Sequence, residues 1–133
     1  MILQAEESED WVIATGKTTK IRDFVKMAFD HVGIELEFTG SGANEVAKVA
    51  KCNNPNYQLE MGKEVLAIDP KYFRPTEVDL LIGDPTKAKE KLGWEPKIQL
   101  AELVEDMMSS DLTLMQKDKY LEDGGYQTLN YFE

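Results

Sequence analysis

Hydrophobic and polar residues alternate most cleanly just before the middle of the chain, where Ile34, Leu36 and Phe38 are separated by Glu35 and Glu37. Successive side chains of a β-strand point to opposite faces, so this pattern predicts a strand with one buried face and one face in water. Shorter apolar runs predict further strands, at residues 11–14, 46–52 and 64–69.

Apolar residues at helical spacing predict about three main helices, near residues 19–32, 85–92 and 100–117. Lys20 is a poor cap for the first helix, and a start at Thr18 or Thr19 would supply a hydroxyl cap. Gln99 is likewise a poor cap for the third helix. That helix carries a methionine-rich stripe, which is more typical of a core than of a binding groove.

The chain is therefore predicted to be an α/β domain that contains a few short strands and about three main helices. We find no repeat, low-complexity tract or linker that would divide it, so we expect one domain over residues 1–133. Residues 1–10 and 120–133 are expected to be irregular at the two ends.

A rigid bend precedes the second predicted helix. Pro75 fixes its own φ and favours an extended conformation at Arg74, so the side chains of Arg74 and Glu77 are expected at a fixed bend. Asp84 is typical of a helix N-cap, and Gly93 is placed to end the helix in a left-handed conformation.

Composition supports a folded domain and narrows its partners. The 133 residues are 42% hydrophobic, and 25 acidic against 15 basic residues give a net charge of −10. This charge disfavours nucleic acid or an anionic membrane surface as the partner, although one arginine at a shaped site suffices for a small anion. No apolar run approaches the roughly 20 residues that span a bilayer. Since Cys52 is the single cysteine and the N-terminus does not resemble a signal peptide, we expect a cytoplasmic protein.

Individual residues point to binding rather than to catalysis. The run Gly40-Ser-Gly42 lacks the third glycine of a dinucleotide fingerprint. No histidine, cysteine and carboxylate cluster has metal-ligand spacing. His31 is interpreted as a partner for a helix dipole, and Lys17, Lys71 and Lys87 as solvated charges.

Several blocks of sequence together resemble a known family. The blocks are WVIATG at 11–16, IRDFV at 21–25, FRPTE at 73–77, GDPTKA at 83–88 and LGW at 92–94. In this order they resemble the C-terminal part of the GDP-mannose 4,6-dehydratases, which are extended short-chain dehydrogenase/reductases acting on nucleotide sugars. The resemblance extends over nearly the whole chain, whereas the family's cofactor-binding Rossmann half and its catalytic residues precede these blocks and have no counterpart here.

The resemblance implies a substrate-binding role for two residues. Arg74 would bind the diphosphate of a GDP-sugar such as GDP-mannose, and Glu77 would accept hydrogen bonds from ribose hydroxyls. The alternative from the residues alone is that Arg74 and Glu77 only pair with each other at the surface.

The resemblance also implies NADP as the cofactor of the full-length enzyme, with no cofactor bound by this chain. None of its tyrosines is followed four residues later by the lysine that the family uses in catalysis. The chain is thus expected to be an inactive fragment that binds GDP-sugars. The alternative is a non-enzymatic interaction module of the same fold, which self-associates or binds a complementary Rossmann half.

Overall fold

A computed structural model describes residues 1–74, 76 and 80–128 of the chain. Its helices are α1 (Ile21–His31), α2 (Thr86–Leu92) and α3 (Leu100–Asp123). Its strands are β1 (Ile34–Thr39), β2 (Val46–Cys52) and β3 (Glu64–Ala67). Short 3-10 turns lie at Ile2–Gln4 and Gly42–Asn44. The predicted α/β class, with a few short strands and three main helices, is confirmed.

The three strands form one antiparallel sheet in the order β1-β2-β3. The hydrophobic core of the chain centres on Val32, Ile34 and Val49, which are all nearly fully buried. α1 packs against both β1 and α3. Side chains from the sheet, the helices and the loop after β2 complete this core: Phe29, Leu36, Cys52, Tyr57, Leu59, Val65, Met108 and Leu112.

The prediction of a strand at residues 11–14 is wrong. In the structure this segment belongs to no strand, and Val12 and Ile13 are 49% and 50% exposed. It lies beside Gly83, where an added Cβ would be 2.5 Å from the Cβ of Ala14. An apolar run becomes a strand only when a neighbouring backbone pairs with it, and no described segment pairs with this one.

Two predicted helix starts and one strand end also differ from the structure. α1 begins at Ile21, because Lys20 is still extended (φ −67°, ψ 142°) and no side chain caps the helix. α2 begins at Thr86, one residue later than predicted. β3 ends at Ala67, two residues early, because the backbone at Asp69 turns away from the sheet.

α3 is better capped and longer than predicted. The Glu102 carboxylate accepts a hydrogen bond of 2.8 Å from the backbone N–H of Gln99, which is one half of a capping box. At the other end the helix continues to Asp123, so the irregular structure predicted from residue 120 is wrong at residues 120–123. An ion pair of 3.1 Å between Lys119 and Asp123 stabilises this last turn.

The methionine-rich stripe of α3 is only partly core. The buried line runs through Val104, Met108 and Leu112, at intervals of four residues. Met107 and Met115, which the stripe included, are exposed. One face of α3 thus packs against α1 and the core, while Met107 and Met115 remain in water.

Candidate functional site

Arg74 is exposed at the end of a tight turn that follows β3. The backbone carbonyl of Asp69 accepts hydrogen bonds from the N–H groups of Tyr72 and Phe73, at 3.0 and 3.2 Å. The Asp69 carboxylate accepts a third, of 2.9 Å, from the backbone N–H of Lys71. These bonds hold the backbone that leads into Arg74, whereas the bend predicted from Pro75 lies outside the described residues and stays a prediction.

Glu77 lies outside the described residues, as does Pro75. The predicted partnership of Arg74 and Glu77, with a ligand or with each other, therefore stays a prediction.

The turn before Arg74 lies near the connection between β1 and β2. A Cβ added to Gly42 would lie 3.7 Å from Cζ of Phe73, an ordinary van der Waals distance, so the phenyl ring faces Gly42 with room for a methyl group between them. Strand pairing explains why the two turns meet. Val46, just after the β1–β2 connection, is opposite Ala67, just before the Asp69 turn.

An arginine on α1 forms an ion pair with the connection between β1 and β2. Arg22 donates to the Glu45 carboxylate, with Nη2 2.6 Å from Oε1, and its guanidinium lies 5.6 Å from the centroid of the Phe38 ring. The hydrogen bond from Arg22 lowers the pKa of Glu45 below its ordinary value and raises the pKa of Arg22 in return. The turn beneath Phe73 is thus linked to both α1 and β1.

The N-cap of α2 is Pro85, so the prediction of Asp84 as N-cap and Pro85 as first helical residue is wrong by one position, although Asp84 still binds the first residue of the helix. Its carboxylate accepts hydrogen bonds from the backbone N–H and the hydroxyl of Thr86, at 3.0 and 2.5 Å, and the pKa of Asp84 is lowered by them. Gly93 ends the helix with a φ of 64°, which confirms the predicted left-handed conformation.

Two ion pairs join α2 to the N-terminal segment, and the sequence analysis did not predict them. Lys87 and Lys91 each approach the Glu9 carboxylate to 2.6 Å, and these contacts lower the pKa of Glu9. Lys87 also lies 5.0 Å from the centroid of the Trp11 ring, so its interpretation as a solvated charge is wrong. The available signal was a pair of lysines four apart on α2 and an acidic run before Trp11.

The Gly40-Ser-Gly42 run does not have the structure of a dinucleotide-binding turn. The glycines Gly40 and Gly42 lie between two antiparallel strands and lead into a three-residue turn and then β2. A pyrophosphate site of the fingerprint type needs a glycine-rich turn that opens directly into a helix, whose N-terminal amides face the phosphates.

The part of the chain that the structure describes contains neither a metal-ligand cluster nor a membrane-spanning helix. No group of three or more metal-binding side chains is placed to hold an ion there. No helix in it combines the length and the apolar character needed to cross a bilayer.

Comparison with known proteins first gives the class of protein. The relatives carry the name GDP-mannose 4,6-dehydratase, which is that of a dehydratase acting on a nucleotide sugar. The chain belongs to the GDP-mannose 4,6-dehydratase family, whose model matches residues 1–107. The resemblance of the sequence blocks to this family is thereby confirmed.

Three relatives illustrate the match. The GDP-mannose 4,6-dehydratase of Yersinia enterocolitica is 42% identical over 127 residues, which are 95% of this chain and 34% of that protein. The enzyme of Drosophila melanogaster is 46% identical over 120 residues, or 89% and 28% of the two chains. The human enzyme is 44% identical over 116 residues, or 87% and 29%. The chain thus spans about a third of the length of these relatives.

Proposed function

We propose that this chain is the C-terminal, GDP-sugar-binding part of a GDP-mannose 4,6-dehydratase, that it works in the cytoplasm, and that it does not catalyse the dehydration by itself. The observation that carries the proposal is the exposed Arg74 on a turn braced by Asp69, in a chain of this family. Residues 1–133 act as one domain in this proposal.

Arg74 has the chemistry to bind a diphosphate. A guanidinium presents a rigid fork of N–H donors that matches pairs of phosphate oxygens, and it stays charged at every physiological pH. A local positive charge matters more than usual here, because the chain as a whole carries a net charge of −10. Glu77 is proposed to accept hydrogen bonds from the ribose hydroxyls, which are donors suited to a carboxylate.

Binding alone does not accomplish the reaction. The dehydration named in the relatives requires a hydride acceptor, for which NADP is proposed in the full-length enzyme. Without a described site that fits this cofactor, the binding energy of the sugar nucleotide has no transition state to stabilise. Purified chain incubated with GDP-mannose and NADP should yield no 4-keto-6-deoxy product. Turnover above a buffer control would contradict this part of the proposal.

Ligand selectivity tests the binding part of the proposal. Isothermal titration with GDP-mannose, GDP and ADP should give heat with the two guanine nucleotides and weaker binding of ADP. Equal binding of all three would reduce the site to a general anion site, and no binding of any would favour the second candidate below.

The second candidate is an interaction module without a ligand, and the exposed apolar residues favour it. Leu80, Leu81 and Ile82 are each more than half exposed, next to the unpaired run at residues 11–14. A pocket of about 510 Å³ lies beside the N-terminal residues, and Arg74 does not line it. The residues that line the pocket are Met1, Ile2, Leu3, Gln4, Ile13, Leu92 and Trp94. Adjacent apolar surface of this kind is typical of contact sites between proteins.

The occupant of this surface is proposed to be a second copy of the chain or a complementary Rossmann half. Sedimentation should show self-association that Leu81→Asp weakens, while the exposed control Tyr120→Asp leaves it unchanged. A strictly monomeric chain over the whole concentration range would exclude a second copy.

A further inference from the structure

Two lysines of α2 hold the carboxylate of Glu9. Its Oε2 lies 2.6 Å from Nζ of Lys87, and its Oε1 lies 2.6 Å from Nζ of Lys91. Lys87 also donates to the backbone carbonyl of Asp10 at 2.9 Å and lies over the ring of Trp11. Three consecutive residues at the end of the N-terminal segment, residues 1–11, are therefore fixed to one face of α2.

This cluster is the first hydrogen-bonded link, in chain order, between the N-terminal segment and the rest of the described structure. The described hydrogen bonds of residues 1–8 all lie within the short turn at Ile2–Gln4 and its flanks. Further along, Ala14 packs against Gly83, where a Cβ added to the glycine would be only 2.5 Å from the Cβ of Ala14. The chain is thus anchored at Ala14 and held again at Glu9.

The two lysines gain from the shared carboxylate. They lie four positions apart on α2, so they face the same side of the helix and repel each other. Glu9 is only 26% exposed and bridges them, which offsets this repulsion. An isolated exposed ion pair contributes little to stability, whereas two pairs and a backbone hydrogen bond act together here. Their total is still small, so the segment can leave α2 without unfolding of the domain.

The segment that is held in this way lines the apolar pocket of about 510 Å³. Met1, Ile2 and Leu3 of the segment line it together with Leu92 and Trp94 at the C-terminal end of α2. Leu92 and Trp94 are half-buried. Departure of the segment would therefore uncover more of these two side chains.

We propose that the cluster of Glu9, Lys87 and Lys91 is an ionic latch that holds the N-terminal segment on α2. Release of the latch opens the apolar pocket and exposes Leu92 and Trp94. The latch goes beyond both candidate functions, since it requires neither a bound nucleotide nor a second chain. Salt screens charges that water can reach, so opening is expected to increase with ionic strength.

Chymotrypsin digestion of the whole chain measures the release, because cleavage after Trp11 requires the segment to leave α2 and the rate follows the open population. Glu9→Gln should speed this cleavage by roughly threefold to tenfold, since both ion pairs are lost while the side chain keeps its size. Glu95→Gln is the matched control, because Glu95 pairs with Lys89 of the same helix at 3.4 Å and takes no part in the latch. It should be cleaved after Trp11 at the rate of the wild type.

Salt gives a second arm of the same experiment. In about 1 M NaCl the wild type should be cleaved after Trp11 faster than at low salt, whereas Glu9→Gln should change little. Cleavage after Tyr126, which is exposed and lies beyond α3, serves as the reference for protease activity in each buffer. Circular dichroism of every variant establishes that it remains folded.

A double-mutant cycle shows whether the cluster acts as a unit. The double variant Lys87→Met, Lys91→Met should speed cleavage after Trp11 at least as much as Glu9→Gln, because methionine keeps an apolar stem and removes the charge. In that background Glu9→Gln should have no further effect. Emission of the dye ANS, which binds exposed apolar surface, should rise for Glu9→Gln and not for Glu95→Gln.

The latch and the candidate functions fail separately. Equal cleavage of the wild type and Glu9→Gln overturns the latch, as does a full effect of Glu9→Gln in the lysine double variant. Faster cleavage without a rise in ANS emission overturns the link between the latch and the pocket. A chain that neither binds GDP nor self-associates would overturn the candidate functions and leave the latch in place.

Discussion

Replacing Gly40 by alanine should destabilise the β1–β2 connection far more than the same change at Gly62. The two glycines have nearly equal φ values, +81° and +80°. At Gly62 an added Cβ would meet nothing within 4 Å. At Gly40 it would overlap the carbonyl oxygen of Asn44 and lie 2.9 Å from the carbonyl carbon. Comparing the Gly40→Ala and Gly62→Ala variants therefore separates the steric clash at Gly40 from the free-energy cost that any left-handed alanine carries.

The expected magnitudes follow from this comparison. A left-handed conformation costs alanine roughly 1 to 2 kcal/mol, and the lower chain entropy of unfolded alanine offsets about 0.4 to 1 kcal/mol of that cost. Gly62→Ala should then lose about 1 kcal/mol of unfolding free energy. Gly40→Ala must in addition move the Asn44 backbone, and overpacking of this kind costs about 1 to 3 kcal/mol more.

Urea denaturation followed by circular dichroism measures both variants. With a denaturant slope of about 1 to 3 kcal/mol per molar urea, the midpoint of Gly40→Ala should fall roughly 1 M below that of Gly62→Ala. Equal midpoints would show that the β1–β2 connection does not have the described geometry.

Two further predictions concern stability. Val49→Ala removes two methyl groups from a side chain that is 2% exposed, and it should cost about 2 to 3 kcal/mol in urea denaturation; a loss below about 1 kcal/mol would place Val49 outside the core. The fold lowers the pKa values of Glu9 and Glu45 below the ordinary glutamate value of 4.5. As pH falls below 4.5, these two carboxylates are therefore protonated in the unfolded chain before they are protonated in the folded chain. The thermal midpoint should therefore fall as pH drops through their native pKa values, and the Glu45→Gln variant should show a shallower fall; an unchanged slope would contradict the Arg22–Glu45 pair.

Local signals sufficed for the elements whose partners are close in the sequence. The alternation of Ile34, Leu36 and Phe38 predicted β1, and the run at Val46–Cys52 predicted β2, its neighbour across one short connection. Gly93 marked the end of α2, and Asp84 marked its start to within one residue, because capping depends on residues within one helical turn. In each case the pattern and its physical partner lie in the same stretch of chain.

Prediction failed where the decisive partner is distant or missing. Residues 11–14 have the composition of a strand, but a strand also needs a neighbouring backbone, and no described segment supplies one. Lys87 looked like a solvated charge because Glu9 and Trp11 lie more than 70 positions away. The closeness of the Asp69 turn to the β1–β2 connection likewise has no local signal, since it depends on how β2 pairs with β3.

The candidate site was predicted from its residues, and its binding role stays a prediction. Arg74 is exposed and follows a turn whose backbone is held by Asp69. The bend expected at Pro75 and the role of Glu77 depend on positions outside the described residues. What the structure adds is the set of hydrogen bonds to Asp69 in the turn before Arg74.

The central claim is that Arg74 binds the diphosphate of a GDP-sugar, and titration of the chain with GDP tests it most directly. Arg74→Ala should weaken GDP binding by about 1.5 to 3 kcal/mol, or roughly tenfold to a hundredfold, the range for charge-assisted hydrogen bonds. Arg74→Lys should fall in between, because lysine keeps the charge and loses the fork. Lys97→Ala, which removes the same charge from another exposed position, should bind GDP like the wild type. Equal GDP affinity of the wild type and Arg74→Ala would contradict the claim and return Arg74 to a surface role.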